Sequence, residues 1–178
     1  MHEQEKLKEA RYFLQHMAAS VNDPVAFQYD LSAFLSSARS VLQYACNEAK
    51  KNPGGQKWYD DQVTAQSVLG FFKDKRDVNV HVKPPRPTRH VLASDTLNVM
   101  ISESTRVEVR RGDGTVEVRE FREEPPELRP QREATQATSR YVFDDWNGPE
   151  DVIDLSRRYV AALEDFVKRG LGDGIISG

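Results

Sequence analysis

Residues 24–50, PVAFQYDLSAFLSSARSVLQYACNEAK, decide the fold class. Phe27, Leu31, Phe34, Ala38, Val41 and Ala45 recur at alternating spacings of four and three, and Leu35 and Leu42 widen the stripe. That period predicts an amphipathic helix of about 40 Å, with one face to bury along its length. Asp23 is placed to cap it, and Pro24 suits its first turn, where no N–H is needed. Asn52-Pro53-Gly54-Gly55 stops it. The small residues Ser36, Ser37, Ala38 and Ser40 let a neighbouring helix come close.

Working outward, Leu7, Ala10, Leu14, Met17 and Val21 form a similar stripe, which predicts a helix over 3–20. Downstream, Trp58, Tyr59, Val63, Val68, Leu69, Phe71 and Phe72 predict a third helix over 57–76, with Gly70 as its weak point. Pro84, Pro85 and Pro87 forbid its continuation. A last helix is expected over 149–169. Val152, Leu155, Tyr159, Leu163 and Phe166 lie on its apolar side, acids stand at its start, and Gly170 stands at its end.

Between residues 90 and 149 the period changes. Val99, Ile101, Val107 and Val109 alternate with polar residues, as do Val116, Val118 and Phe121. Arg111-Gly112-Asp113-Gly114 is a turn signal, so 96–111 and 114–122 are expected to pair as a β-hairpin with one apolar face, laid over the helices. The prolines and charges of 123–140 predict an extended loop, and Tyr141-Val142-Phe143 a short apolar return. The expected whole is one mainly α domain over 1–178. It is an antiparallel four-helix bundle, with a hairpin and long loop inserted over 91–146 before the last helix.

Apolar residues are 38% of the chain and charged residues 30%, which fits a soluble globular protein with a modest core. There is no apolar run long enough to cross a membrane and no secretory leader pattern at the start. The single cysteine, Cys46, excludes an intrachain disulfide and a Cys-rich zinc site, and its place in an apolar helical pattern suits a buried thiol. His2, His16 and His90 have no carboxylate or cysteine partners at ligand spacing, so neither metal nor cofactor is expected, and the location expected is cytoplasmic. Net charge is −3, but residues 73–90 hold six basic and two acidic side chains, so the field there is positive.

That basic stretch contains Phe71-Phe72-Lys73-Asp74-Lys75-Arg76-Asp77-Val78-Asn79-Val80-His81-Val82-Lys83, with Arg86 beyond it. An arginine followed five positions later by a histidine, at the end of a helix with an aromatic and basic lead-in, resembles the HEPN superfamily of small helical domains. The resemblance covers roughly residues 5–85 and the last helix. It implies a homodimer in which Arg76 and His81 meet across an interface and cleave RNA without metal. The guanidinium would grip phosphate oxygens and the imidazole would move the protons. Asn79 would orient the imidazole or bond the phosphate, and Lys73, Lys75, Lys83 and Arg86 would hold flanking phosphates. Other members imply a different role, a non-catalytic module that dimerises or binds a protein partner. Within one unbroken helix, positions five apart lie about 140° from each other around the axis, so Arg76 and His81 cooperate only through a bend near Asn79 or through a second chain. Arg11 and His16 share the spacing but lie inside the first helix.

Overall fold

The three helices expected before the prolines emerge as four. In the structure, a computed structural model that describes residues 2–81, 86–93, 104–122 and 137–177 (backbone alone for 76–81, 93, 104–105 and 121–122), α1 spans His2–Ala19, α2 Pro24–Ala49, α3 Gly55–Ala65 and α4 Ser67–His81. The last helix, α5, spans Val152–Gly172. The chain divides into two compact units, Met1–Leu92 with Ala137–Gly178, and Ala93–Gln136.

The first unit is built on α2. Asp23 accepts hydrogen bonds from the N–H groups of Val25 (2.9 Å) and Ala26 (3.1 Å), satisfying two of the helix's free donors. All eight apolar residues of the expected stripe are buried. Against them pack α1, through Leu7, Ala10 and Met17, and α5, through Val152, Leu155, Tyr159, Leu163 and Phe166. Gly55 fits the turn into α3 because it has no side chain: a β-carbon there would collide with the Ala49 carbonyl at the end of α2.

The expected third helix breaks at Gln66, whose backbone is extended (φ −124°, ψ 101°). The cause lies in the apolar spacing. Tyr59 and Val63 are four apart, as are Val68 and Phe72, but Val63 and Val68 are five apart, a phase jump of about 140° for a helix. A straight helix would bury only one pair. The break lets Tyr59 meet Phe166 (5.8 Å between centroids) while Phe72 stacks on Tyr159 (4.4 Å, 6°). The weak point is therefore Gln66, not Gly70.

The last helix also has shifted ends. It starts at Val152, because Asp151 takes the cap and accepts from the N–H of Asp154 at 2.9 Å. It then runs through Gly170, which is a packing contact and not the stop. A β-carbon on Gly170 would lie 2.8 Å from Ile176 and 2.9 Å from Trp58, and the Gly170 carbonyl accepts the returning N–H of Ile175 at 2.9 Å.

Two two-stranded antiparallel sheets complete the described chain. Strand β1, Thr88–Ala93, pairs with β4, Ala137–Val142. β1 was not expected, and residues 137–140 belong to this ribbon and not to the loop. Its anchors are the Ser139 N–H donating to Asn22 (3.1 Å), Arg89 donating to the Ser139 hydroxyl (2.8 and 3.1 Å), and Tyr141 stacked on Phe27 at 3.7 Å.

The second unit holds the hairpin, β2 (Ser104–Arg110) with β3 (Val116–Arg122). Its closing turn is one residue longer than a two-residue connection. Arg111 accepts from Gly114, whose φ is +87°, and the Arg111 N–H donates to Thr115. This is a tight turn followed by a glycine bulge. The extra residue slips the register by one and sets Val109 opposite Glu117 and Val107 opposite Arg119. The valines of β2 and β3 therefore fall on opposite faces, so the expected single apolar face does not form. Val107, Val109, Val116 and Val118 are all exposed, at 40–54%.

Candidate functional site

The stretch singled out in the sequence forms the last turns of α4. The helix is continuous through Arg76 to His81, so those two positions stand about 7.5 Å apart along the axis and about 140° apart around it. In helical register, positions 76 and 79 continue the line of buried Leu69 and Phe72, seven residues upstream of each. Position 81 instead continues the line of exposed Asp74. The helix runs without a break through Asn79.

Around the base of these turns the packing is aromatic. Phe71 lies against Phe143 (5.6 Å) and Trp146 (5.0 Å), and Phe72 is sandwiched among Phe34, Phe143 and Tyr159. The ammonium of Lys75 sits 5.2 Å from the Phe71 ring centre and 5.0 Å from that of Phe143, and it bonds both carboxylate oxygens of Asp145 at 2.5 and 2.6 Å. A cation held over two rings and neutralised by a carboxylate fastens the helix to the segment after β4. Lys75 is thus already engaged, whereas Lys73 is half-buried and Arg86 is exposed outside any element. Lys83 lies outside the described residues.

The neighbouring segment continues the same logic. Asp144 accepts from the Thr88 hydroxyl at 2.8 Å. The Trp146 indole donates to Glu150 at 3.0 Å, and Glu150 also receives Arg158 at 2.7 Å, whose guanidinium lies 5.7 Å from the Trp146 ring centre. The indole hydrogen bond is the main reason the Glu150 carboxyl lies below its ordinary range. The partners of Asp144 and Asp145 are 56 and 70 residues away in the chain, so local pattern carried no signal for either contact.

The second arginine–histidine match comes apart in the structure. Arg11 bonds Glu164 on α5 at 2.6 Å, while His16 lies against Tyr12 with ring centres 4.3 Å apart. A further polar group went unnoticed in the sequence. Arg39, on α2, has buried Nε and Nη1 atoms without partners and lies near Tyr59 and the fully buried Tyr159. Burial pushes both phenols upward, so they remain neutral hydroxyls across the physiological range. Arg39 stands in the small-residue stretch of α2, where the helical pattern reads through a long cation without marking it.

Among the described residues no group of three or more His, Cys, Asp or Glu side chains gathers to hold a metal, and no helix is long and apolar enough to cross a membrane. Comparison with known proteins gives no matching family model, no matching curated protein and no matching solved structure.

Proposed function

We propose that this chain is a HEPN-like, cytoplasmic helical module that forms a homodimer and cleaves RNA without a metal, using Arg76 and His81. The observation that carries the reading is the uninterrupted course of α4, which puts a guanidinium-bearing and an imidazole-bearing position on separate lines of one helix in a locally basic stretch. One copy does not readily offer both groups to one phosphate. Two copies related by a twofold axis do, because each supplies to the other what it lacks.

In that arrangement His81 removes the proton of a ribose 2′-hydroxyl. The resulting oxygen attacks the adjacent phosphorus, the bond to the 5′-oxygen breaks, and that oxygen leaves with the proton that the His81 imidazolium gives up. Arg76 stabilises the charge that accumulates on the phosphate oxygens during attack. Asn79, on the same line as Arg76, bonds the phosphate or orients the ring. Lys73, Lys83 and Arg86 hold flanking phosphates, and Lys75 keeps α4 seated through Asp145. The products are a 2′,3′-cyclic phosphate and a 5′-hydroxyl.

A non-catalytic, partner-binding module is the second reading. The engagement of Lys75 by Asp145 favours it, since that pair removes one cation from the strip an RNA would touch. Incubation of the folded protein with a mixed RNA panel in EDTA separates the two. We expect cyclic-phosphate ends, lost by at least about a hundredfold in His81→Ala and Arg76→Ala and retained in His16→Ala. Intact RNA throughout, with native helicity by circular dichroism, would leave the binding module.

A further inference from the structure

The second unit carries an edge that fits a copy of itself. A two-stranded hairpin is marginal in water, and this one exposes valines on both faces. Among the described residues no strand lies on the outer edge of β2 or of β3. Across the turn the Arg111 N–H donates to Thr115. From that bond the antiparallel alternation assigns positions 105, 107 and 109 to bonding with β3. The main-chain N–H and C=O groups of 104, 106, 108 and 110 are left directed outward.

We infer that two chains join through their β2 strands, antiparallel and centred on Val107, to make a four-stranded sheet ordered β3-β2-β2-β3. The strand Ser104–Arg110 has Val107 at its midpoint, so this register uses all of it. It sets Arg106 of each chain opposite Glu108 of the other, twice, and Val107 opposite Val107. Positions 106 and 108 are the outward-bonding ones, and Val107 falls at a non-bonded pair, where side chains come closest. Within one chain Arg106 and Glu108 make only a long contact of 3.7 Å, with side chains 63% and 50% exposed, so both have capacity for a partner. The twofold axis runs through the sheet, as an isologous contact requires.

The edge of β3 lacks this match. Its midpoint is Arg119, so full-length self-pairing would set two arginines against each other. Of its two acids, Glu117 is already bonded by Arg111 at 2.9 Å and by Arg119 at 2.8 Å, and Glu120 would face Val118 of the other copy, not an arginine. Charged edges usually repel stray strands. In β2 the order Arg-Val-Glu reads as its own complement when reversed, so the edge admits a second copy while it rejects others.

The test uses the full chain and does not depend on α4. In a Cys46→Ser background, Val107→Cys should give a disulfide-linked dimer under mild oxidation at micromolar concentration, and Val118→Cys should not. Charge reversal gives the second readout, by sedimentation. Arg106→Glu and Glu108→Arg should each weaken this association roughly tenfold or more, because both cross-strand pairs turn repulsive. A one-to-one mixture of the two variants should restore it. No cross-link at 107, or cross-linking at 118 instead, would overturn the proposal, as would a mixture that associates no better than its components. An RNA-cleaving dimer assembled elsewhere would leave the cross-linking results at 107 and 118 unchanged.

Discussion

Lys75 shows how one side chain decides what its neighbours do. Its side chain is 17% exposed, and its ammonium lies over Phe71 and Phe143 and is bonded to Asp145. Asp145→Asn should destabilise the first unit by about 1 kcal/mol, since the carboxylate itself is well solvated. Lys75→Ala should cost more, about 2 kcal/mol, because it also removes the stem packed on the rings. Urea denaturation of both variants checks the order, and a larger loss for Asp145→Asn would mean that charge outweighs packing. Glu48 gives a pH signature. The Ser177 N–H (2.6 Å) and hydroxyl (2.9 Å) hold its carboxyl below the ordinary 4.5. A lowered folded-state value means the contribution is complete above that ordinary value and fades as pH falls through the folded one. Glu48→Ala should therefore lower Tm by about 2 °C at pH 7, and the gap to the parent should close toward pH 3. An unchanged gap would exclude this carboxylate as the source.

At the scale of elements, the sequence was most readable where apolar spacing was regular. The stripe of α2 was legible residue by residue, from Phe27 to Ala45, because nothing interrupts its period. The break at Gln66 was also written in the chain, as the five-residue gap between Val63 and Val68, but a gap of that size is inconspicuous in a stretch rich in apolar residues. The hairpin was legible as a hairpin and not in its register, because one residue of turn length decides which face each valine takes. β1 was missed because Thr88-Arg89-His90 offers no alternation until it pairs with β4. The α2–α3 turn permits a sharp check. Gly55→Ala places a β-carbon against main chain, which cannot rotate away, so it should cost about 3 kcal/mol or more in thermal unfolding. Gly70→Ala, with open space around it, should be neutral or stabilising by up to about 1 kcal/mol.

At the scale of the whole molecule, the chain leaves its helical unit at Ala93 and re-enters it at Ala137. These positions end and begin two paired antiparallel strands, so a short Gly/Ser connection can replace 94–136. That excised protein should keep its helical circular dichroism and unfold cooperatively. Loss of both would make the second unit an obligate part of the fold. The candidate site was legible only as residue types and spacing. Arg76 and His81 were findable, and their separation of about 140° followed from helix geometry once α4 proved continuous. The contacts that seat α4 were not, because they come from residues some 70 positions downstream.

The two indoles have a practical consequence. Trp58 donates to Asp173 at 2.8 Å beyond the C-terminal end of α5, and Trp146 donates to Glu150 just ahead of its N-terminal end. These are the only tryptophans in the chain. Intrinsic fluorescence therefore views both tips of one helix, and a pair of single-tryptophan variants would time the fraying of each tip separately, without any attached dye.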